Sequence, residues 1–261
     1  MTAATDFDPG PGPELAEVFA AVPAPADPSA FWFDWGPVFY RGRLDGTARV
    51  LCIASDPGAT ERIAGRTLVG NAGQRVQGFL AKLGLTRSYL CLNAFAYALH
   101  PSHSAHAGRM LAEPAPLAWR NRLYDLAARA PLEAIVAFGV NARDAVALWT
   151  SRPQVPLVEI PHPTSHDAQR LLAEWAAAVE RLRTIVTPDP DGATSAANYG
   201  RTFSEADYAP IPRFDLPFGA PRFLGDDAWA RRRHPPLDST VTRPSPDDGH
   251  TLIWVAPDGG A

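Results

Sequence analysis

Four residues stand at or just beyond the ends of short apolar runs, and three of them have side chains that can take part in chemistry. They are Asp56, Asn93, Gly139 and His162. The carboxylate of Asp56 can orient a water molecule and place negative charge beside a developing cation. The imidazole of His162 can donate a hydrogen bond to a group that gains negative charge, and the amide of Asn93 can pair with the polar edge of a planar ligand. Together these side chains indicate a candidate hydrolytic site.

Each of these side chains also has a purely structural explanation. Asp56 precedes Pro57 and Gly58, where an aspartate commonly closes an Asx turn or caps a helix. His162 lies between two prolines and could be a buried structural histidine, and Asn93 could close a turn at the end of a strand. Residue type alone leaves both explanations open.

The apolar runs are predicted to be buried strands, and the segments of helical spacing between and after them are predicted to be helices. The strands are expected at residues 49–54, 88–93, 132–139 and 155–160, and the helices at 71–84, 116–130, 141–150 and 167–186. This alternation predicts a three-layer α/β/α fold around a central, mostly parallel four-stranded sheet. The carboxyl ends of parallel strands share one edge of the sheet, so the four residues above are expected to lie along that edge.

The chain is predicted to form one α/β domain that is flanked by segments of different composition. Residues 1–30 are acidic and rich in Pro and Ala, and are expected to form a tail with a short helix near 14–21, before the domain at 31–186. Residues 187–261 are rich in Pro and carry aromatic residues at intervals. This composition predicts an extension that packs on the domain without forming a second one, with 252–255 as a candidate edge strand.

Composition limits the classes of protein to which the chain can belong. The 261 residues are 46% hydrophobic, but no apolar run is long enough to span a membrane. The acidic N-terminus does not resemble a signal peptide. Two cysteines are too few for a disulfide framework or an iron–sulfur cluster, so a cytoplasmic protein is expected.

Positive charge is concentrated in one part of the chain, although the formal net charge is −4. Residues 40–125 carry eleven basic and five acidic residues, and every Lys or Arg of the chain except Lys82 is an arginine. Arginine suits bidentate contacts with phosphate. A GC-rich genome would produce the same bias.

Four sequence blocks resemble motifs of the uracil-DNA glycosylase superfamily. ASDPG at 54–58 is similar to the water-activating motif that occurs as GQDPY, GINPG, GMNPG or GEAPG in the branches of that superfamily. GRTLVGNAGQ at 65–74 is similar to the GRPFVGxAGQ stretch of the thermostable bacterial branch, and HPTSH at 162–166 resembles the HPS motif. Asn93 matches the strand-end asparagine that reads the flipped base. The resemblance covers about residues 48–186.

The resemblance implies a monofunctional DNA glycosylase that flips a base out of the helix and hydrolyses its N-glycosidic bond, leaving an abasic site. It implies neither a metal nor another cofactor, and neither a membrane nor an obligate protein partner. The catalytic residues that it implies are Asp56 and His162, and the base-binding residues are Ser55, Gly58, Leu68 and Asn93. The implied contacts with single- or double-stranded DNA are Arg66, Gln74, Thr164, Ser165, His166 and Arg170.

Two positions differ from branches of this superfamily and bear on the identity of the base. Leu68 replaces the aromatic residue that stacks on the base in the thermostable branch. Gly58 stands where the GQDPY branch has a tyrosine that excludes a 5-methyl group. Both differences allow a pyrimidine with a bulky C5 substituent, such as the glucosylated hydroxymethylcytosine of phage DNA, which implies a defence enzyme. The alternatives are ordinary uracil excision in repair and a catalytically silent DNA-binding module.

Two further groups of basic side chains could bind ligands. His100, His103 and His106 have a spacing that could supply metal ligands, but no carboxylate or cysteine accompanies them. A solvated or DNA-facing loop is the simpler interpretation. The basic run at Arg231–His234 could contact phosphate.

Overall fold

The central sheet has five strands, of which four are parallel to one another. The computed structural model describes residues 7–193, 195–220 and 224–225, and the backbone of 241–242 and 253–254. In chain order the strands of this sheet are β1 Tyr40–Gly42, β2 Val50–Ala54, β3 Tyr89–Asn93, β4 Ala134–Phe138 and β5 Leu157–Ile160. Along the sheet their order is β1-β3-β2-β4-β5, and β1 runs antiparallel to β3.

The helices lie between the strands and at both ends of the domain. In the described residues they are α1 Pro13–Ala20, α2 Ala59–Ala64, α3 Asn71–Lys82, α4 Ala107–Leu111, α5 Pro114–Ala127, α6 Val140–Ala147 and α7 Ala168–Arg183. The segments predicted as helices correspond to α1, α3, α5, α6 and α7, whereas the short helices α2 and α4 have no counterpart among the predictions. Within the same residues, no helix combines the length and the apolar character that crossing a membrane requires.

Successive side chains of a central strand enter two different cores, one on each face of the sheet. Along β2, Leu51 and Ile53 belong to the core that contains residues of α1, α5 and α6. Val50, Cys52 and Ala54 belong to the core that contains residues of α3 and α7. A strand that is buried on both faces must be apolar throughout, which is why these runs are continuous. The predicted α/β fold with three layers is confirmed.

The prediction of four strands is wrong, because β1 adds a fifth strand beside β3. Its sequence, Tyr40-Arg41-Gly42, is too short and too polar to be recognised as a strand. Gly42 has φ +101°, and a Cβ atom at this position would collide with the carbonyl oxygen of Tyr89. Only glycine fits there. Arg41 is fully buried within the strand, which requires a counter-ion from elsewhere in the chain.

A buried carboxylate after α7 supplies that counter-ion. The side chain of Asp215 has no exposed surface, and neither has that of Arg41. The carboxylate accepts hydrogen bonds from Arg41 Nη1 at 3.0 Å, from Arg43 Nη2 at 2.6 Å and from the Tyr89 hydroxyl at 2.7 Å. Several donors are needed to offset the desolvation of a buried carboxylate. The turn at Arg213–Asp215 is thereby fixed against β1 and β3.

A second carboxylate fixes the chain immediately after the end of α7. Asp189 accepts hydrogen bonds from the backbone N–H groups of Thr86, Arg87 and Ser88, and from the side chains of Ser88 and Arg49. Burial opposes the charged form, but the Ser88 hydroxyl and the backbone N–H groups hold the pKa of Asp189 at about 2. The carboxylate therefore stays charged well into the acid range and ties this segment to the turn before β3.

Parts of the segments predicted as a tail and an extension contact the domain. Phe19 of α1 is buried in the core and stacks on Phe39, with ring centroids 4.4 Å apart. Ile253–Trp254 is a strand, but it pairs with Val241–Thr242 in a separate two-stranded sheet. The basic run at Arg231–His234 lies outside the described residues. The division of the chain into tail, domain and extension stays a prediction.

We expect Asp215→Asn to lower the free energy of unfolding by about 3–5 kcal/mol, because it leaves the guanidinium of Arg41 buried without a counter-ion. Urea unfolding followed by circular dichroism measures the change. Asp45→Asn is the matched control, since Asp45 is exposed and bonds locally to Thr47. Equal stability of the two variants would contradict a structural role for the buried ion pair.

Candidate active site

A cavity of about 310 Å³ lies beyond the carboxyl ends of β2 and β5. Among the residues proposed for catalysis, base binding and DNA contact, those that line it are Asp56, Gly58, Leu68, His162 and Thr164. The structure thus brings the loop after β2, the loop before α3 and the loop after β5 to one place. The roles of these residues toward a substrate stay predictions.

Asp56 follows β2 and has a carboxylate that is partly withdrawn from water. Its Oδ2 atom accepts a hydrogen bond from the backbone N–H of Leu99 at 2.9 Å. Burial raises the pKa of Asp56, and the bonds from Ser55 and Leu99 oppose part of that rise. The Ser55 hydroxyl in turn accepts a bond from Asn141 Nδ2 at 2.8 Å, so α6 helps to orient it. A carboxylate with a raised pKa is a stronger base toward a water molecule.

His162 follows β5 and is held as a neutral imidazole. Burial lowers the pKa of His162 to about 4, so the ring is uncharged at neutral pH. Its Nδ1 atom accepts a hydrogen bond from the backbone N–H of Thr164 at 3.2 Å and lies 2.8 Å from the Thr164 hydroxyl oxygen. Because Nδ1 accepts a backbone hydrogen bond, the single ring proton lies on Nε2. The ring therefore offers a neutral Nε2–H donor.

Close packing at the end of β4 sets the position of His162. Gly139 has φ +87°, and a Cβ atom at this position would lie 2.9 Å from the Cβ atom of His162. A larger residue would therefore displace His162. The glycine that follows β4 contributes space to the site rather than a functional group.

Glu61 is a cavity residue that its sequence context does not single out as functional. Its Oε2 atom accepts a hydrogen bond from the backbone N–H of Gly58 at 3.0 Å. Its Oε1 atom accepts bonds from the N–H groups of Val69 and Gly70, both at 2.8 Å. One carboxylate thus joins the loop after β2 to the loop before α3. The available signal was an acidic residue in the first turn of a helix, from which glutamate commonly bonds back to the helix start.

The loop that Glu61 holds contains a backbone conformation that is unfavourable for a residue with a side chain. Leu68 has φ +53°, in the left-handed region, which costs roughly 1–3 kcal/mol. The hydrogen bonds that the N–H groups of the next two residues donate to Glu61 maintain this conformation. The Leu68 carbonyl also lies so close to Gly73 that a Cβ atom there would collide with it. The side chain of Leu68 is buried and forms part of the cavity wall.

Asn93 lies at the end of β3, one strand away from the cavity wall at Ala54. Its Oδ1 atom accepts a hydrogen bond from the Thr67 hydroxyl at 2.7 Å. Its Nδ2 atom is buried and has no hydrogen-bond partner among the described residues. A buried amide donor without a partner costs about 1–3 kcal/mol. Asn93 therefore has a hydrogen-bond donor to spare.

Gly58 packs closely against the carboxylate of Glu61. Gly58 lines the cavity, but a Cβ atom there would lie 2.7 Å from Glu61 Oε2. A side chain at position 58 would press on the Glu61 carboxylate. The missing side chain of Gly58 thus faces Glu61, and the expectation that this glycine leaves space beside C5 of a base stays a prediction.

Trp32 and Trp35 supply aromatic surface in a site where Leu68 provides none. Both line the cavity, and their rings stack with centroids 5.4 Å apart and an interplanar angle of 14°. Trp32 also contacts the ring of His100, and the guanidinium of Arg62 lies over Trp35. No spacing rule connects this segment before β1 to the loops after β2 and β5, so the sequence does not reveal its part in the site.

His162 also borders an open groove of about 510 Å³. Three of the side chains predicted to contact DNA line this groove, namely Ser165, His166 and Arg170. Arg170 Nε pairs with Glu174 Oε1 at 2.6 Å on the exposed surface of α7. These three residues and Thr164, which lines the cavity, thus lie together near His162.

The structure does not bring the other two predicted DNA contacts, Arg66 and Gln74, to this surface. Arg66 Nε pairs with Asp8 Oδ2 at 2.7 Å, and its guanidinium lies over the ring of Tyr40. Gln74 is 1% exposed, and its backbone oxygen accepts a bond from Ala209 N. Burial leaves Gln74 no surface for contact with DNA in this arrangement, whereas contact of Arg66 with DNA stays a prediction. Arg66 is engaged by Asp8, and Gln74 is covered by the segment that follows α7.

The three histidines of the loop after β3 lie in and beside the turn at Pro101–His106. His100 and His103 both contact the Ser102 hydroxyl through Nδ1, and His106 ends the turn at Pro101–His106. Across the described ranges, no group of three or more His, Cys, Asp or Glu side chains is placed to hold a metal ion.

Comparison with known proteins assigns a family to the central part of the chain. A family model described as the uracil DNA glycosylase superfamily matches residues 41–202, more than half of the chain. The match includes Asp56 and His162, begins after Trp35 and ends before Asp215. A search of the curated proteins finds no match.

We expect the imidazole of His162 to titrate near pH 4, because burial disfavours the charged ring. In the neutral ring the proton should lie on Nε2, because Nδ1 accepts the backbone hydrogen bond of Thr164. Long-range ¹H–¹⁵N spectra recorded across the acid range measure both properties, and His162→Gln identifies the signal by its loss. A midpoint near the ordinary histidine value of about 6.5 would contradict a half-buried ring that stays neutral.

Proposed function

The chain belongs to the uracil-DNA glycosylase superfamily, and we propose that it is a monofunctional DNA glycosylase that removes a modified pyrimidine by hydrolysis. Membership of this superfamily supports an activity of the DNA glycosylase type, with DNA as the partner. One observation carries the finer proposal: Asp56 and the neutral His162 line the same cavity.

Asp56 acts on the sugar in this proposal. Cleavage of an N-glycosidic bond leaves positive charge on the deoxyribose and negative charge on the departing base. The carboxylate stabilises the cationic sugar and orients a water molecule toward C1′. The water oxygen bonds to C1′, the bond from C1′ to the base nitrogen breaks, and the base takes up the proton that the water loses. The products are a free base and an abasic site.

His162 acts on the departing base. Its Nε2–H group donates a hydrogen bond to a base oxygen as negative charge develops there. Since the pKa of His162 is about 4, the neutral donor is fully present at neutral pH. The ring stabilises the leaving group without having to gain or lose a proton.

Asn93 recognises the polar edge of the base. Its unpartnered Nδ2 atom gains a hydrogen bond when an acceptor comes within reach. The Thr67 hydroxyl can donate or accept, so the amide can also turn over and present its oxygen to the base. The site thus accepts either a uracil-like or a cytosine-like edge.

The chemistry of Lys82 supports hydrolysis without a subsequent strand-cleaving step. Such a step needs an amine that forms a Schiff base with the sugar. Lys82 is the only lysine of the sequence, and it is 6% exposed and paired with Asp207 at 3.0 Å. It is not available as a nucleophile in this arrangement.

The size of the cavity and its walls favour a base larger than uracil. A volume of about 310 Å³ lies at the lower limit of pockets that bind drug-sized ligands, roughly 300–1,000 Å³. Trp32 and Trp35 contribute large apolar surfaces to it. A pyrimidine with a bulky C5 substituent, such as glucosylated hydroxymethylcytosine, would use contacts that uracil leaves unused. Excision of this base would make the enzyme a defence against phage DNA.

We expect Asp56→Asn and His162→Gln each to lower the single-turnover rate of base excision at least about 100-fold, as the loss of a general base or of an electrostatic stabiliser does. Release of the base from a defined duplex measures the rate. Asp45→Asn and His106→Gln, at exposed positions away from the cavity, are the matched controls. Wild-type rates in both folded site variants would refute the assignment.

We expect the wild-type protein to excise glucosylated hydroxymethylcytosine faster than uracil, because a large substituent gains transition-state contacts with the tryptophan walls of the cavity. Trp35→Leu should then lower the rate on the bulky base at least about tenfold more than the rate on uracil. Phe33→Leu, in the same turn but outside the cavity lining, is the control.

The products from a panel of duplexes separate the alternatives. If the protein releases uracil rapidly and leaves glucosylated DNA intact, the defence role is refuted and ordinary repair is favoured. Tight binding of these duplexes without an abasic product would favour a DNA-binding module that lacks catalysis.

A further inference from the structure

We propose that residues after position 202 complete the active site by holding the loop of His162 through Arg75 and Trp175. The catalytic role of His162 in this inference rests on the proposed function. The matched family region ends at residue 202. Arg75 and Trp175 lie inside the matched region, whereas Phe203 and Tyr208, which contact them, lie beyond it.

Two side chains donate hydrogen bonds to the backbone carbonyls on either side of His162. Trp175 Nε1, from α7, donates to the Pro161 oxygen at 3.0 Å. Arg75 Nη1, from α3, donates to the Pro163 oxygen at 2.5 Å. Proline has no backbone N–H, so the carbonyl is the only polar backbone group that each of these residues offers. The loop is thus held from both neighbouring helices at the residues that flank the imidazole.

Aromatic residues beyond the matched region fix the orientation of Arg75. Its guanidinium carbon lies 4.4 Å from the centre of the Phe203 ring and 5.3 Å from that of Tyr208. The Tyr208 hydroxyl also accepts a hydrogen bond from Arg75 Nε at 2.8 Å. Stacking on aromatic rings constrains the plane of a guanidinium. Arg75 is therefore directed at the Pro163 carbonyl.

Trp175 is covered by one ring from the end of the matched region, Tyr199, and by one ring beyond it, Phe203. This indole is fully buried, and its ring lies 5.8 Å from Tyr199 and 6.3 Å from Phe203 in edge-to-face contacts. Phe203 thus contacts both of the side chains that bond to the loop. Removing it would loosen the two supports together.

The segment is itself anchored tightly along α3. Asp207 pairs with Lys82 at 3.0 Å, and the backbone N–H of Ala209 donates to the Gln74 oxygen at 3.1 Å. At Gly78 of α3, a Cβ atom would collide with the carbonyl oxygen of Asp207. Because the segment is packed so closely on α3, Phe203 and Tyr208 have fixed positions. They fix the position of Arg75 in turn, and Arg75 fixes the loop.

The closing experiment compares two arginines that contact aromatic rings of the same C-terminal segment. Arg75→Lys removes the planar contact and the defined bond to the Pro163 carbonyl, while keeping the charge. Arg87→Lys is the matched control, because Arg87 lies 4.4 Å from the Phe214 ring but precedes β3, at the edge of the sheet opposite the cavity, and is outside the cavity lining. Tyr208→Phe removes the hydroxyl that bonds to Arg75 and keeps the ring.

We expect Arg75→Lys to lower the single-turnover excision rate about 10–100-fold, the effect typical of residues that orient a functional group, with little change in DNA affinity. Tyr208→Phe should lower it less, and Arg87→Lys not at all. The NMR titration of His162 gives a second readout that needs no activity. Its midpoint should rise from about 4 in Arg75→Lys, because a loosened loop admits water.

These readouts separate the positioning role from the proposed function. If the wild-type protein excises no base but the His162 midpoint rises in Arg75→Lys, the proposed function fails and the positioning role stands. A folded Arg75→Lys with wild-type rate and midpoint would overturn the positioning role. A loss confined to DNA affinity would also overturn it, since Arg75 would then be a DNA contact. If Arg75→Lys does not fold, the same criteria apply to Tyr208→Phe.

Discussion

Parallel strands that are buried on both faces can carry polar side chains only where they end, and the central strands of this sheet follow that constraint. β2, β4 and β5 are adjacent and parallel, so the residues that follow them meet at one edge. Asp56 and His162 come from two of these strand ends, and Gly139 at the third leaves the space that His162 needs. The helical layers cover both faces of the sheet, which leaves this edge as the place for a cavity.

Buried carboxylates join parts of the chain that are distant in sequence. Asp215 connects the turn at Arg213–Asp215 to β1. Asp189 connects the residues after α7 to the turn before β3, and Glu61 connects two loops of the cavity. Each accepts several hydrogen bonds, which offsets the cost of removing the charge from water. The bonds are directional, so they fix positions that apolar packing alone would leave adjustable. The precision of the cavity depends on these polar contacts as much as on the hydrophobic cores.

Sequence patterns predict the parts of this molecule that depend on residues close together in the chain. Continuous apolar runs identified four strands and their ends, and therefore the placement of Asp56 and His162. β1 was missed because Arg41 is buried only by virtue of Asp215, which is distant in the chain. The cavity roles of Trp32 and Glu61 escaped for the same reason, since they arise from tertiary contacts. Gln74 shows the converse error, because a helix position that looks accessible in sequence is covered by a later segment.

The pairing of the sole lysine with Asp207 has a consequence for ionisation. With Lys82 buried, the cationic side chains that the protein can present to a phosphate backbone at neutral and alkaline pH are guanidinium groups. Arginine stays protonated up to about pH 12. The arginines of the protein therefore keep their positive charge under alkaline conditions, and their attraction to a polyanion persists. A lysine-rich surface would begin to be neutralised there.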